Sequence, residues 1–468
     1  MSNEPKYITI RNDLLERIKQ GQFPDGKLPS IKHLAEEYNV SLMTANQTVK
    51  DLKNSGIVMS YPDNRGTLII EKQVNLLREC KDTSNLMENI KVYARKKFKI
   101  RYFNPEYFSP ARELWDGIIE SFQKRYPWIE IEMLQEKDLS SMIDGNDYPD
   151  VVQLIGRDVG FWQKKGLIIS LNEFLAADSE HLSQIHPKAL ENSTFNDEVF
   201  ALPVSIGVPL LFYRKDMLDK LSIKSDAFAE SGWDELRNIS DKLIGKNYET
   251  AIRLGLWSYW NLLIGNTSEE IFNTKYDKTL IESIETLKNL YSRSAYFLYG
   301  NGPRPTDDFF KSKGAIFLSY SSFMHDFRKY PEWRIAGIPL GKTGILTSET
   351  CANCICSKSR QREEAWLFIK YLSSENVQRK IAETRNNFPV HIGLLDEINK
   401  KPEFRNINIQ ATLKNSERLS INTQTLYILY ESIIDPVLET YFAGKLPASA
   451  VLEIIRPRIA EVLKVYIK

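Results

Sequence analysis

The sequence predicts a multi-domain chain, with a small helix-turn-helix module closed by a β hairpin at the front and a much longer α/β region behind it. Two helix caps and a hairpin turn fall within residues 28–70, strands and amphipathic helices alternate from Lys99 onward, and a polar, Lys-rich stretch separates the two. With 468 residues, 42% hydrophobic and 26% charged, the chain is long enough for two or three domains with their own cores. Its net charge of +1 excludes a polycation, so nucleic-acid contact has to rest on a local patch.

A first helix is expected over Tyr7–Gln20, where Ile10, Leu14 and Ile18 recur at helical spacing and Gly21 ends the run. Ser30 caps a second helix from Ile31 to Tyr38, and Asn39-Val40 makes a short turn. Ser41 caps a third, in which Leu42, Ala45, Val49 and Leu52 form the stripe expected to be buried. Met43, Asn46, Gln47, Lys50 and Asn54 then lie on the opposite face. An amide-rich face of this kind suits the major groove of DNA, where Asn and Gln bond adenine bidentately. Gly56 reads as a helix stop, and the β-prone runs Ile57–Tyr61 and Thr67–Ile70 flank a turn with Arg65 near its tip.

The run LPSIKHLAEEYNVSLMTANQTVKDLKNSGIV with its hairpin resembles the winged helix-turn-helix of GntR-type bacterial repressors. That resemblance implies DNA contacts at Lys32, Ser41, Thr44, Asn46, Arg65 and Gly66, and the exposed helix face and wing add Met43, Gln47, Lys50 and Thr67. Lys32 stands where the family prefers Arg, Leu42 where it usually has Arg, and DNRGT replaces its usual Gly-rich wing. Lys32 still meets a phosphate as a point charge, whereas Leu42 forfeits a contact. The family habit further implies a homodimer on an inverted repeat of double-stranded DNA.

Residues 1–70 are thus expected to form a winged helix-turn-helix domain, 71–98 a linker and 99–468 the remaining domain. Residues 71–100 carry eight Lys and Arg against four Asp and Glu, a run read as solvated rather than as a phosphate-binding arm. The N-terminus lacks a basic start, an apolar core and a cleavage site, and no window offers about 18 apolar residues, so a cytoplasmic location is expected. Cys351, Cys354 and Cys356 in CANCIC alternate as a strand would, and they read as buried and reduced rather than as a metal site. Neither metal nor cofactor is expected.

From Lys99 the pattern is strand (KIRYF), amphipathic helix (Pro110–Tyr126) and strand (WIEIEML), a crossover unit, followed by the apolar strand DYPDVVQLI. Such sheets bind ligands beyond their strand carboxyl ends, here the loops holding Asn104, Tyr107, Gly156, Arg157 and Asp158. YPDVVQL, FWQKKGLIISLNEFL, ALPVSIGVPLLFYRKDML, GWDELRNISDKL, FFKSKGAIFLSYSSFM and REEAWLFIKYLSSENVQRKIAETRNNFPV, in this order, resemble segments of the type 1 extracellular solute-binding proteins of ABC importers, chiefly the sugar-binding branch. Arg214 stands where that family usually has Asn.

The resemblance covers nearly all of residues 99–468 and implies a two-lobed α/β periplasmic-binding-protein-like domain (type II) that closes on a ligand in its cleft. A sugar asks for aromatic platforms with planar amides, carboxylates and Arg at the rim. Candidates are Trp257, Tyr259, Trp260 and Tyr320 as platforms, and Arg157, Asp158, Ser205, Arg304 and Glu349 as polar partners, with Asn104 and Tyr107 beside them. The expected function is a transcription regulator in which a small-molecule effector, a sugar or oligosaccharide, modulates operator binding. Two alternatives stand beside it: a pyridoxal-phosphate enzyme of aminotransferase type, as some GntR-headed chains carry, and a ligand-blind DNA-binding protein. The first needs a Schiff-base lysine, and CSKSR with Lys358 is the sole echo. P-loop, G-x-G-x-x-G, H-E-x-x-H and G-x-S-x-G patterns are absent, so the chain is not expected to be an enzyme.

Overall fold

In the computed structural model the described residues are 5–54, 57–60, 66–70, 98–105, 107, 112–126, 128–134, 147–176, 179–223, 233–252, 260, 271–291, 309–327, 329–338, 346–385, 387–404, 407–418 and 422–466. They fall into two compact units, residues 1–99 with 123–131 and residues 100–122 with 132–468.

The N-terminal head has three helices, α1 (Lys6–Lys19), α2 (Ile31–Glu37) and α3 (Leu42–Asn54), and three short strands, β1 (Lys27–Leu28), β2 (Val58–Ser60) and β3 (Thr67–Ile69). Both predicted caps form: Ser30 Oγ accepts from the His33 amide at 3.2 Å, and Ser41 Oγ from the Thr44 amide at 3.1 Å. Asn39 takes up the turn between α2 and α3 with φ 47°, in the left-handed region that Asn tolerates. The core gathers Ile10, Leu14, Leu15 and Ile18 of α1, Leu34 of α2, and Ala45, Val49 and Leu52 of α3. Strand β3 pairs antiparallel with β2 in the predicted hairpin and with β1, a strand too short to be marked by any alternation. Gly66 enters β3 at φ +79°, a conformation that suits glycine.

Leu42 departs from the expected stripe: it is 59% exposed. In a helix each side chain leans toward the N-terminus, so a first-turn residue overhangs the end of the packed face. Thr48 is buried instead and donates its hydroxyl back to the Thr44 carbonyl at 3.0 Å.

From Phe98 onward the described residues are built on two main sheets, beside the short hairpin of β7 (Thr194–Phe195) and β8 (Glu198–Val199). The larger runs β15-β9-β14-β6-β4-β5, with β16 also beside β14: β4 (Phe98–Phe103), β5 (Ile129–Met133), β6 (Val151–Ile155), β9 (Leu202–Gly207), β14 (Leu346–Ile355), β15 (Phe388–Pro389) and β16 (Ser416–Arg418). Strand β4 begins at Phe98, one residue ahead of the expected boundary. Strands β4 and β5, adjacent in the sheet with α4 (Arg112–Arg125) between them in sequence, are the predicted crossover unit; β4 also pairs parallel with β6, and Trp115, Ile118 and Phe122 of α4 are buried. Strand β14 runs antiparallel between β6 and β9. It carries CANCI, with Cys354 buried in the strand and Cys356 buried just after it in a bridge to Ile168, both thiols pushed up in pKa by burial, whereas Cys351, expected to be buried, is half-buried.

The smaller sheet, in the order β11-β12-β10-β13, holds β10 (Pro209–Arg214), β11 (Glu249–Ile252), β12 (Gly314–Tyr320) and β13 (Trp333–Ala336). On one flank stand aromatic rings, Phe212 stacked on Phe327 at 4.1 Å and Phe310 on Tyr330 at 5.1 Å. Its aliphatic core takes in the late helices α11 (Thr423–Leu429), α12 (Asp435–Phe442) and α13 (Ala448–Tyr466), so the chain's end returns to this lobe.

Each sheet with its helices makes one lobe, and the chain passes between them three times. Val208 joins β9 to β10, residues 337–345 join β13 to β14, and residues 419–422 lead from β16 to α11. The first crossing is pinned by Ser321, whose amide donates to the Val208 carbonyl at 2.8 Å and whose hydroxyl accepts from the Val208 amide at 3.2 Å.

Asp435 at the start of α12 gives the second lobe a pH dependence. Burial, with Glu439 and Glu431 nearby, pushes its carboxyl from the ordinary 3.8 up to about 7. Between these values the native chain holds a proton that the unfolded chain releases, so stability falls as pH rises through this window. Asp435→Asn is expected to flatten that slope and to raise the melting temperature at pH 8, as read by calorimetry. A melting temperature at pH 8 equal to or below the parent's would contradict the assignment.

Candidate functional site

On the head, Met43 is 81% exposed, and Asn46, Gln47 and Lys50 share the open face of α3 with it. Gln47 Nε2 donates to Asp51 at 3.0 Å, and Asp51 in turn pairs with Arg11 of α1 at 3.4 Å. The Ser41 and Thr44 hydroxyls lie 2.9 Å apart at the cap, which fixes the N-terminal end of the face. Lys32 on α2 is exposed, and Thr67 with Gly66 lies at the base of the hairpin, while Arg65 falls outside the described residues.

A cavity of about 210 Å³ opens where the two lobes meet. The first lobe supplies Pro105 after β4, Gln153, Leu154 and Ile155 of β6, Gly207 at the end of β9, Glu349 and Cys351 of β14, and Asn387; the second supplies Tyr320 at the end of β12 and Ser322 just after it. The position is the one expected, beyond the carboxyl ends of β4 and β6. Gln153 is buried to 3% exposure, and neither its Oε1 nor its Nε2 has a hydrogen-bond partner among the described residues.

Beside this cavity stand Arg157 and Asp158, on the first turn of α5 (Gly156–Lys164). The Arg157 guanidinium bonds the Glu349 carboxylate and donates through Nε to the Thr423 hydroxyl at 3.0 Å. Asp158 accepts the Thr423 amide and the Thr423 hydroxyl, both at 2.6 Å. Burial pushes the Asp158 carboxyl above the usual range, against the pull of the two Thr423 bonds and of Arg157. Thr423 opens α11, capped by Asn422, whose side chain accepts from the Thr425 amide at 2.9 Å. These four residues therefore tie the first lobe to the second. Helix α5 is held for this by Gly160, where a Cβ would lie 2.4 Å from the Phe195 ring, and Arg418 stacks on that same ring at 4.1 Å.

Of the expected ligand residues, the structure brings Glu349 and Tyr320 to the cavity and joins Arg157 and Asp158 to them through the Thr423 network. Trp260 is corrected: it is wholly buried in the second lobe's core and donates through Nε1 to Ser283 Oγ at 2.7 Å, which leaves it no face for a ligand. Asn104 and Ser205 are buried in the first lobe, and Tyr107 spends its hydroxyl on Asp116 at 2.6 Å. Trp257, Tyr259 and Arg304 lie outside the described residues. Sequence reasoning missed Gln153, Asn387 and Thr423. Gln153 had left a signal, as the one polar residue inside the apolar run VVQLI; Asn387 and Thr423 had left none beyond a loop and a helix start.

Two family models match the chain: bacterial regulatory proteins of the gntR family over residues 6–69, and bacterial extracellular solute-binding protein over residues 117–406. Among curated relatives, a protein of Brucella abortus (strain 2308) named as a binding protein is 21% identical over 229 residues, 43% of this chain and 53% of that one. A protein of Escherichia coli (strain K12) named as a fructoselysine utilization operon transcriptional repressor is 31% identical over 74 residues, 16% of this chain and 30% of that one. The chain thus spans about half the length of the first relatives and less of the second. Among solved structures, the ABC substrate-binding protein of Listeria monocytogenes in complex with cycloalternan superposes with a TM-score of 0.66 at 16% identity, over 79% of this chain and 99% of that one. The solute-binding protein of Thermotoga lettingae bound with alpha-D-tagatose superposes with a TM-score of 0.61 at 18% identity, over 79% of this chain and 100% of that one. The chain belongs to the bacterial extracellular solute-binding proteins and carries a gntR-family regulatory domain at its N-terminus.

Proposed function

We propose that this protein is a transcription regulator whose two-lobed domain senses a small carbohydrate and modulates the binding of its paired heads to an operator. The observation that carries the proposal is the pairing, in one chain, of an exposed Asn46-Gln47-Lys50 helix face with an inter-lobe cavity lined by Gln153, whose buried amide has no hydrogen-bond partner among the described residues. The first suits base edges and phosphates, the second a polyhydroxylated ligand. Neighbours of the same fold that hold cycloalternan and tagatose support a carbohydrate here.

A ligand touching Glu349 competes with Arg157 for that carboxylate and so alters the Arg157-Thr423-Asp158 link between the lobes. Only a ligand with different affinity for open and closed lobes shifts their equilibrium, and with it the heads. The test is operator affinity of the full chain, on a duplex selected from a random pool, with and without sugars that raise its melting temperature. A change in affinity is expected. Equal affinity with and without such a sugar would leave the ligand-blind reading standing. On that duplex Asn46→Ala is expected to lower affinity by about 1–3 kcal/mol with relaxed base preference, measured by fluorescence anisotropy. Unchanged affinity would remove Asn46 from the groove.

A further inference from the structure

We infer that the cleft takes a single uncharged polyhydroxylated ring, a monosaccharide or cyclic polyol, and that Gln153 selects it by bonding two neighbouring hydroxyls at once. This rests on the carbohydrate reading above and narrows it. An amide offers one acceptor and one donor side by side, so a vicinal diol satisfies both, one hydroxyl donating to Oε1 and the next accepting from Nε2. The neighbours on β6, Val152 and Leu154, join the first lobe's apolar core, and no described group completes the Gln153 bonds from within the protein. A buried amide left so is unfavourable, and a ligand that completes it gains accordingly.

Charge and size narrow the class further. Among the described lining residues Glu349 is the single formal charge, and its cationic partner Arg157 is only 6% exposed and also bonded to Thr423. A phosphate or carboxylate on the ligand would therefore face a carboxylate, with no free cation among the described lining residues to meet it. At about 210 Å³ the cavity lies below the roughly 300–1,000 Å³ of pockets for drug-sized ligands, which favours one ring over an oligosaccharide.

Isothermal titration of the full chain tests this with unmodified pentoses, hexoses and inositols, the 6-phosphates and uronates of the same hexoses, and di- and trisaccharides. A neutral single ring is expected to bind at least about 100-fold more tightly than its phosphate, its uronate or the longer sugars. Gln153→Leu is expected to weaken that ring about 10- to 100-fold while the melting temperature of the ligand-free chain holds or rises, since two unsatisfied polar atoms leave the core. A lowered ligand-free melting temperature with unchanged affinity would make Gln153 merely structural and overturn its role. Glu349→Gln supplies a second variant that frees Arg157, and the gap between ring and phosphate should shrink about tenfold; an unchanged gap overturns the charge argument. Tighter binding of a phosphate, a uronate or a trisaccharide overturns the class and leaves the carbohydrate sensor intact, whereas a panel with no binder overturns both.

Discussion

Replacing Trp260 by alanine is expected to destabilise the second lobe by about 3–5 kcal/mol, the range for large aromatic truncations in a core. The indole is wholly buried among Leu280, Ile284 and Leu287, and its Nε1 donates to Ser283, whose hydroxyl passes the chain on to the Leu280 carbonyl at 2.6 Å. Truncation removes the packing and leaves Ser283 without that donor. Denaturant unfolding followed by far-UV circular dichroism reads the loss; with several domains present, the transition of this lobe is fitted separately. A variant with unchanged stability and lost sugar affinity would return Trp260 to the list of ligand platforms.

Leu52→Ala is the second large effect, at about 2–5 kcal/mol, and it falls on a small domain with little stability to spare. Leu52 is wholly buried on α3 against a core built from Leu14, Leu15 and Leu34. Operator binding is expected to disappear as the head unfolds, with melting of the two-lobed unit unmoved. Met43→Ala, at an 81% exposed position on the same helix, is expected to stay within about 0.5 kcal/mol of the parent in stability. If both variants lost operator binding with the head still folded, Leu52 would be acting through DNA contact rather than packing.

The contrast between these residues shows where sequence reading succeeds. Caps at Ser30 and Ser41, the stripe of Ala45, Val49 and Leu52, and the crossover unit of β4, α4 and β5 were all legible, because each element depends on neighbours a few residues away. Leu42 matched the stripe by spacing yet lies exposed, since spacing names a face without saying how far the neighbouring helices extend along it. The run GLWSYWNLLIG read as a possible aromatic platform, and its Trp260 packs into the core, because burial of a large ring depends on which distant helices arrive to cover it.

By itself the sequence determined the order and type of the elements and the winged head through local periodicity, capping and turn chemistry, and its resemblance to solute-binding proteins implied the two α/β lobes. Tertiary structure alone decided which polar groups share the cleft. Gln153, Tyr320, Glu349 and Asn387 meet there, and Arg157 and Asp158 find Thr423 more than 260 residues away. The physical reason is that hydrogen bonds and ion pairs act over a few ångströms of space, and the chain must cross between the lobes three times before those atoms are neighbours.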